Sequence, residues 1–359
     1  MKHCAISITS KEHAEFVPVA APEALGANEV RGPTVCTLIS PGTELAWNYT
    51  GTSFPSFPGY AAVFAAADIG AEVKGVSKGD LLFCMGGHRS FQQVEACAAR
   101  RVPGELPPEK AVLARLMGVS MTTLMTSAAR PGDRVLITGA GPVGFLAAQM
   151  FALSGYEVLL AEPDAVRRRQ VEQAGIRSVF ARAPFEDSSI AGTVALVVEC
   201  SGHEQAVLDA CRVVRKRGEV VLVGVPWRRQ TEVFAHELLS LVFHKYVVLR
   251  SGWEWELPHH AADFSPHSIH TGLDTALRWL ADNRIRTEGL IARADPRDAQ
   301  RAYQDLLQRR ADGLFTVFDW TRIESDKEKD GQGGGLDALP CVSHLERSPN
   351  FRVPDLTGK

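Results

Sequence analysis

The sequence lacks the features that would place its 359 residues in a membrane, on nucleic acid or in a secretory pathway. No apolar run reaches the ~18 residues that a membrane helix needs, and residues 1–13 contain no long apolar core of a signal peptide. The formal net charge is -3 and there is no basic stripe, so neither a nucleic-acid nor a membrane partner is expected. The hydrophobic content of 45% is ordinary for a soluble globular protein long enough for two domains.

Cysteines are too few, and spaced too irregularly, for a disulfide framework or a four-cysteine zinc lobe. Their number, seven, is odd, and no pair has C-x-x-C spacing. We therefore expect reduced thiols in a cytoplasmic protein and no structural zinc. The cysteines are Cys4, Cys36, Cys84, Cys97, Cys200, Cys211 and Cys341.

The sequence does contain a glycine-rich loop between two apolar strands. The run Val135–Thr138 resembles a strand and leads into Gly139, Gly141 and Gly144, spaced as G-x-G-x-x-G. A helix-compatible segment and a second apolar run follow, and that run ends at Glu162. This order predicts a dinucleotide-binding βαβ unit, in which the helix N-terminus faces the pyrophosphate and the acid binds ribose hydroxyls.

The charge near this loop favours NAD over NADP as the cofactor. A carboxylate at Glu162 accepts hydrogen bonds from ribose hydroxyls but repels a 2′-phosphate. Arg167 is a candidate to cover the adenine ribose, and the arginines beside it leave NADP open. Pro142 and Val143, which begin the helix, complete the predicted phosphate-binding set with the three glycines.

The chain divides into a β-rich first part and a second part in which strands and helices alternate. Short alternating runs at 30–39, 61–67 and 80–84 are typical of an antiparallel, barrel-like domain. After a helical region near 107–129, the alternation predicts a parallel, doubly wound sheet. We expect strands at 135–138, 158–161, 195–199, 220–225, 247–249, 289–291 and 315–319, and helices at 144–153, 165–173, 204–213, 271–283 and 298–309.

The composition changes near residue 321. A charge run at 324–330 is followed by a glycine-rich stretch at 331–335, and no sustained periodicity appears before Lys359. This pattern predicts a flexible tail over 321–359, with a partner-binding tail as the alternative.

Several further motifs lie along the chain: S-P-G-T-E at 40–44, F-P-G-Y at 57–60, K-G-D at 78–80, V-E-C-S-G at 198–202, G-E-V-V-L-V-G at 218–224 and D-G-L at 312–314. With them the chain resembles the medium-chain dehydrogenase/reductase superfamily over roughly residues 25–320. The resemblance implies an α/β protein with a GroES-like β-barrel domain (1–115), a Rossmann doubly wound parallel sheet (116–265) and a return to the first domain (266–320). Substrate and nicotinamide would meet in the cleft between the domains.

The resemblance also implies which residues surround the cofactor beyond the glycine-rich loop. It places the nicotinamide beside segments that follow the later strands of the parallel sheet. The implied residues are Cys200, Ser201, Gly202, Val223, Gly224, Val225 and Ser251.

The positions at which zinc-dependent relatives carry metal ligands hold other residue types in this chain. The Cys-Gly-Ser/Thr-Asp motif reads P-G-T-E at 41–44, Gly-His-Glu reads G-Y-A at 59–61, and the third position falls nearest Met117. None of Pro41, Tyr60 and Met117 is a ligand that zinc prefers, so we predict no catalytic zinc. The S-P-G-T-E form is similar to a functionally mixed, zinc-lacking branch that includes bacteriochlorophyllide dehydrogenase-like proteins.

Without a metal, the oxygen that gains negative charge during hydride transfer needs a hydrogen-bond donor or a general acid. Thr43 falls at the family position whose hydroxyl contacts the substrate oxygen and begins a proton relay; the alternative is a turn residue after Pro-Gly. Tyr60 replaces the ligand histidine, so its phenol would point into the vacated site as a donor or as a wall residue.

Two further residues are predicted to assist this chemistry. His88 follows two glycines, histidine is a residue type suited to acid/base work, and related zinc-free sequences read Gly-x-His there; the alternative is an exposed loop histidine. Glu44 lies where the family has an orienting Asp, so a structural or orienting role is expected. The histidines at 259, 260, 267 and 270 lack the spacing of a metal site.

Three functions remain open from the sequence. The first is a zinc-independent, NAD-dependent dehydrogenase of a secondary alcohol or its ketone. The second is an enoyl or quinone reductase using NADPH, against which Glu162 counts. The third is a cofactor-binding protein without turnover. The resemblance implies a homodimer or homotetramer formed through the edge of the Rossmann sheet.

Overall fold

The computed structural model of the chain describes residues 3–323. The strands are β1 His3–Ser10, β2 His13–Val19, β3 Glu29–Leu38, β4 Ala61–Ala65, β5 Asp68–Ile69, β6 Leu81–Cys84, β7 Phe91–Glu95, β8 Arg100–Arg101, β9 Arg134–Thr138, β10 Glu157–Ala161, β11 Ser178–Phe180, β12 Val194–Glu199, β13 Val214–Leu222, β14 Val248–Ser251, β15 Ile291–Ala294 and β16 Phe315–Asp319. The helices are α1 Pro41–Thr43, α2 Pro108–Ala111, α3 Ala114–Thr126, α4 Pro142–Leu153, α5 Ala165–Gln173, α6 Glu204–Val213, α7 Ala235–Lys245, α8 Ile269–Ala281 and α9 Ala299–Leu307.

Strands β9 to β14 form a parallel sheet in the order β11-β10-β9-β12-β13-β14. This is the 3-2-1-4-5-6 order of a doubly wound dinucleotide-binding sheet, with the reversal between β9 and β12. The central strands are buried, as expected where helices cover both faces. The prediction of an α/β fold with a Rossmann sheet is confirmed.

The second large sheet joins strands from both ends of the described chain. Its order is β15-β16-β3-β4-β6-β8, and β5 and β7 also pair with β3. β16 returns antiparallel to β3, with Val317 opposite Leu38. β1 and β2 form a separate antiparallel hairpin, which α9 holds through a hydrogen bond from the Ala14 N–H to Gln300 Oε1 at 2.7 Å.

Helix α3 connects the two sheets and packs against α4 and α8. Most of its residues are buried, including Arg115, which is the one charged residue of the helix. The predicted boundaries at 115/116 and 265/266 remain predictions.

Several predicted segments have ends that differ from the structure; the strand predicted at 289–291, for example, is Ile291–Ala294. β13 ends at Leu222 and not at Val225, because the N–H groups of Val223 and Gly224 both donate to the Glu199 carbonyl oxygen, at 2.9 and 2.6 Å. Residues 321–323 form a helical turn, although the tail was predicted to begin at 321. The rest of that predicted tail, 324–359, lies outside the described residues. Over residues 3–323, no helix is both long and apolar enough to span a bilayer.

Candidate active site

The loop between β9 and α4 forms a backbone cradle with open space at its centre. Gly139 has a φ of +84°, a conformation that favours glycine. A Cβ on Gly144 would lie 1.8 Å from the Gly139 carbonyl oxygen, so only glycine lets the helix lie this close to the strand. A Cβ on Gly141, the N-cap of α4, would meet nothing within 4 Å. Pro142 and Val143 then begin the helix, and the arrangement fits a pyrophosphate at its N-terminus.

The predicted ribose-binding acid, Glu162, follows β10 and faces this loop. Its Oε2 accepts a hydrogen bond from the Ala140 N–H at 2.6 Å, and its Oε1 accepts one from the Asp164 N–H at 2.9 Å. The residue is buried. A carboxylate oxygen accepts more than one hydrogen bond, so ribose binding stays a prediction. The observed contacts show Glu162 holding the glycine-rich loop to the end of the strand.

Arg167, predicted to cover the adenine ribose, lies in the first turn of α5, where its backbone N–H donates to the N-cap Asp164 at 3.1 Å. The next residue, Arg168, is the one whose side chain braces the strand end. Its Nη1 donates to the carbonyl oxygens of Glu162 and Pro163 at 2.8 and 2.6 Å. The sequence did not predict this contact.

The predicted nicotinamide-side residues follow the carboxyl ends of three neighbouring strands. Glu199 ends β12, is fully buried, and accepts hydrogen bonds from the N–H groups of Ser201 and Gly202 at 2.7 and 3.0 Å. A Cβ on Gly224 would lie 2.4 Å from the Gly202 nitrogen, so the segments after β12 and β13 touch. The edge of the sheet where dinucleotides bind therefore carries the whole predicted set: Cys200, Ser201, Gly202, Val223, Gly224, Val225 and Ser251.

Thr43 and Tyr60 meet because the strands that carry them are neighbours. Leu38, at the end of β3, pairs with Ala61, at the start of β4. Thr43 ends α1 after β3 and Tyr60 precedes β4, so the fold places the two side chains near each other and the Thr43 hydroxyl acts to lower the pKa of Tyr60. Burial raises the pKa of Tyr60 to about 12, although the nearby Arg115 charge acts in the opposite direction. The phenol therefore keeps its proton at neutral pH.

A buried ion pair that the sequence did not predict lies beside Tyr60. The Cζ of Arg115 is 4.2 Å from the centroid of the Tyr60 ring. Its Nη1 and Nη2 donate to the two carboxylate oxygens of Glu254 at 2.5 and 2.6 Å, and the two residues are only 3% and 4% exposed. Burial lowers the pKa of Arg115, but the Glu254 carboxylate outweighs it and holds that pKa above its usual range.

Glu254 also fixes where Tyr60 lies relative to the parallel sheet. It follows β14 closely in the chain, in the helical turn Glu254–Glu256. Because Arg115 bridges Glu254 and Tyr60, the phenol lies beside the carboxyl edge of the sheet. This is the edge that carries the predicted cofactor residues.

The residues at the family's metal-ligand positions do not fit a zinc ion. Pro41 offers no side-chain donor atom, and Met117 is fully buried in the apolar core. The Tyr60 ring has the Arg115 guanidinium against it, and a fixed positive charge this close opposes a divalent cation. Throughout the described part of the chain, no group of three or more His, Cys, Asp or Glu side chains is arranged to hold a metal.

His88 and Glu44 belong to a buried network, which corrects the prediction of His88 as an acid or base at the substrate, while the structural or orienting role of Glu44 stays a prediction. His88 is 1% exposed, with its Nε2 2.9 Å from Glu44 Oε2 and its Nδ1 2.7 Å from Thr37 Oγ1. Tyr303 donates to the same Glu44 oxygen at 2.6 Å, and the Ser40 N–H donates to the other at 2.7 Å. Since these groups are buried and engaged with one another, neither side chain reaches a substrate. The alternative of an exposed loop histidine is equally wrong.

Two tryptophan rings link the halves of the molecule. Trp47 lies in the π-helical segment Glu44–Tyr49, and Trp227 follows β13. Their rings meet edge to face with centroids 5.8 Å apart. This aromatic contact therefore joins a segment that follows β3 of the second large sheet to one that follows β13 of the parallel sheet.

Comparison with known proteins agrees with this geometry. Residues 114–252 match the family model described as glucose dehydrogenase C-terminus. An L-threonine 3-dehydrogenase from Pyrococcus furiosus is 27% identical over 270 residues, which is 62% of this chain and 76% of that protein.

Two solved structures share the arrangement of both sheets. Galactitol-1-phosphate dehydrogenase from Escherichia coli has a TM-score of 0.75 at 17% identity, covering 88% of this chain and 99% of that one. A dehydrogenase from Sinorhizobium meliloti 1021, described as zinc-binding and bound to NADP, has a TM-score of 0.70 at 16% identity, covering 89% and 99%. At such identities the likeness establishes the fold.

Proposed function

We propose that this oxidoreductase is a member of the medium-chain dehydrogenase/reductase superfamily and that it transfers hydride between a nicotinamide dinucleotide and a secondary alcohol or its ketone, without zinc. One observation carries the proposal. The protonated phenol of Tyr60 lies beside the carboxyl edge of a dinucleotide-binding sheet, at a position where the resemblance implies a ligand histidine in zinc-dependent members.

The cofactor is NAD in this proposal. The open cradle at Gly141 and the N-terminus of α4 would hold the pyrophosphate. The buried carboxylate of Glu162 beside that cradle disfavours a 2′-phosphate. An enoyl or quinone reductase using NADPH is the second function considered, and the same carboxylate counts against it.

The residues around Tyr60 suit ketone reduction. A bound reduced nicotinamide supplies the hydride to the carbonyl carbon. The Tyr60 hydroxyl donates its proton to the carbonyl oxygen, and the Thr43 hydroxyl, which lies near Tyr60, passes a proton from solvent to restore the phenol. Alcohol oxidation follows the same path in reverse.

The absence of zinc, with assignment to the zinc-lacking branch, is part of the proposal. It is supported by the residue types at positions 41, 60 and 117 and by the guanidinium against the Tyr60 ring. The structurally similar dehydrogenase from Sinorhizobium meliloti 1021, which is described as zinc-binding, counts against this part of the proposal. A cytoplasmic location, predicted from the cysteines, belongs to the proposal as well.

Gly141→Ala should separate cofactor binding from folding. The φ of Gly141 is -65° and its surroundings are open, so alanine fits the fold, but the new methyl group lies where the pyrophosphate would. We expect the affinity for NADH, measured by quenching of tryptophan fluorescence, to fall about tenfold or more with an unchanged melting temperature. Gly104→Ala, another open position, is the matched control. Full NADH binding by Gly141→Ala would contradict the proposed cradle.

Turnover and metal content test the rest of the proposal. Wild-type protein is assayed with NAD and NADP against secondary alcohols that include L-threonine and galactitol 1-phosphate, and against ketones with NADH and NADPH. We expect NAD-linked turnover of at least one pair without stoichiometric zinc by elemental analysis. Stoichiometric zinc would overturn the metal-free site, and tight NADPH binding without NADH binding would favour the reductase.

A further inference from the structure

The ion pair between Arg115 and Glu254 brings a fixed charge into a site that offers no metal ligands. The guanidinium lies over the Tyr60 ring, with its Cζ 4.2 Å from the ring centroid. Two parallel hydrogen bonds to Glu254 set its plane and position. A bidentate arginine–carboxylate pair is the most rigid way to hold a cation at one place in a protein.

Burying this pair is costly, and packing alone gives no reason to retain it. Replacing a buried ion pair with apolar residues of similar volume is often neutral or stabilising, and the residues around Arg115 on α3 are apolar and buried. The Nε of Arg115 is also buried without a hydrogen-bond partner. A guanidinium with an unmet donor is a poor choice for a purely structural contact.

We propose that Arg115, held by Glu254, is the positioning residue whose charge stabilises Tyr60 when the phenol gives up its proton, so that an arginine serves where other members of the superfamily use a metal. This inference rests on the proposed function, because it assumes that Tyr60 is the proton donor.

The chemistry balances without a metal. Hydride from the reduced nicotinamide forms the C–H bond at the carbonyl carbon, and the Tyr60 O–H bond breaks as its proton joins the carbonyl oxygen. Tyr60 becomes a tyrosinate, and the adjoining Arg115 charge stabilises it in a site of low dielectric constant. A solvent proton then restores the phenol. Glu254 keeps the guanidinium against the ring but takes no proton.

The double variant Arg115→Met/Glu254→Gln removes both charges and keeps side-chain volume. A single substitution would leave one charge buried and unpaired, with the risk of unfolding. With the fastest NADH-reduced ketone of the substrate panel, we expect the double variant to lose about 10²- to 10³-fold in kcat, with KM within about threefold of wild type. NADH binding and the melting temperature should change little.

A second measurement distinguishes a charge that acts through Tyr60 from an ion pair that only holds two segments of the fold together. In a Tyr60→Phe background the proton donor is already gone, so the double variant should cause little further loss in kcat. If the ion pair only held α3 to the segment after β14, its removal would lower kcat by the same factor in both backgrounds. Equal losses would therefore overturn the inference, and so would a double variant with wild-type kcat.

The matched control removes an ion pair away from the site. Arg31 and Asp68 lie 2.9 Å apart on the paired strands β3 and β5, so Arg31→Met/Asp68→Asn should leave kcat unchanged. If wild-type protein turns over a ketone but the Arg115/Glu254 variant does too, only this inference fails. If the wild type turns over nothing in the panel, the proposed function fails and the inference falls with it.

Discussion

At the scale of single residues, Glu44 is the centre of a buried polar group that joins distant parts of the described chain. Its two carboxylate oxygens accept from Tyr303 and from the Ser40 N–H, and one also contacts His88. Burial, with the Glu44 charge beside it, raises the pKa of Tyr303 well above its usual value. The group thus orients the segment that carries Thr43, one residue before Glu44, without touching a substrate.

Glu44→Ala is expected to destabilise the protein strongly. The substitution leaves His88, Tyr303 and a backbone N–H buried without the carboxylate that they contact. Removing one partner from a buried charged group costs about 3–5 kcal/mol of stability. Urea unfolding measures this change. Glu105→Ala, at an exposed position, should change the free energy of unfolding by less than about 0.5 kcal/mol. A stable Glu44→Ala that has lost turnover would return Glu44 to the catalytic residues.

The sequence predicted the hydroxyl groups of Thr43 and Tyr60 in the candidate site. It did not predict the buried ion pair that lies between Tyr60 and the parallel sheet. Thr43 and Tyr60 follow from family positions, whereas Arg115 and Glu254 are 139 residues apart and meet only in the folded chain. One signal was available. Arg115 interrupts a run of apolar residues on a helix, and a lone charge on a buried face needs a partner. Nothing in the sequence names which carboxylate that partner is.

At the scale of elements, the start of α8 carries a histidine placed to resist protonation. His270 lies 3.0 Å from Arg100 and 3.2 Å from His260, with His259 close by. Burial and these neighbouring charges lower its pKa from 6.5 to about 4. Asp274 lies in the same helix, and burial raises the pKa of its carboxyl group, whereas the pKa of His270 is lowered.

This histidine predicts part of the acid sensitivity of the fold. An unfolded chain takes up a proton near pH 6.5, whereas folded His270 does so only near 4. The stabilisation is therefore complete above pH 6.5 and is lost as the pH falls towards 4. His270→Asn should flatten the decline in unfolding free energy over that interval, measured by urea titration. His236→Asn, on the exposed face of α7, should not, and an identical decline in His270→Asn would refute the assignment.

Elements with strong local signals were predicted well, and those that depend on distant contacts were not. The bounds of α5 and α6 match, since Asp164 caps the first and the second has a clear apolar stripe. The helix α7 was missed because it exposes apolar residues such as Leu239 and Phe243 and buries none completely. The β1–β2 hairpin was missed too, because its partner is α9, near residue 300.

At the scale of the whole molecule, the exposed apolar face of α7 lies beside an edge of the parallel sheet. Leu239 is 65% exposed, Phe243 76% and Tyr246 71%, and β14 has no further partner on its outer side within residues 3–323. An unpaired strand next to exposed apolar side chains favours association. We therefore propose that two copies pair across β14, giving the homodimer or homotetramer that the superfamily resemblance implies.

Phe243→Glu should convert that assembly to smaller species. A charge within an apolar interface is strongly unfavourable, so light scattering after size exclusion should show about half the mass of the wild type or less. Phe264→Glu, at a fully exposed phenylalanine outside this surface, is the control and should leave the mass unchanged. Should the wild type itself be a monomer, or Phe243→Glu retain its mass, the interface is not here.

The network around Glu44 also sets the order in which the protein can be completed during synthesis. Tyr303 joins Glu44 across 259 residues, and the Trp320 indole joins Thr37 across 283. The sheet that contains β3 therefore lacks hydrogen-bond partners for these buried polar groups until Tyr303 and Trp320 have left the ribosome. The parallel sheet between these two parts of the chain can fold first. The predicted cofactor-binding sheet of the nascent chain is therefore complete before the candidate active site is.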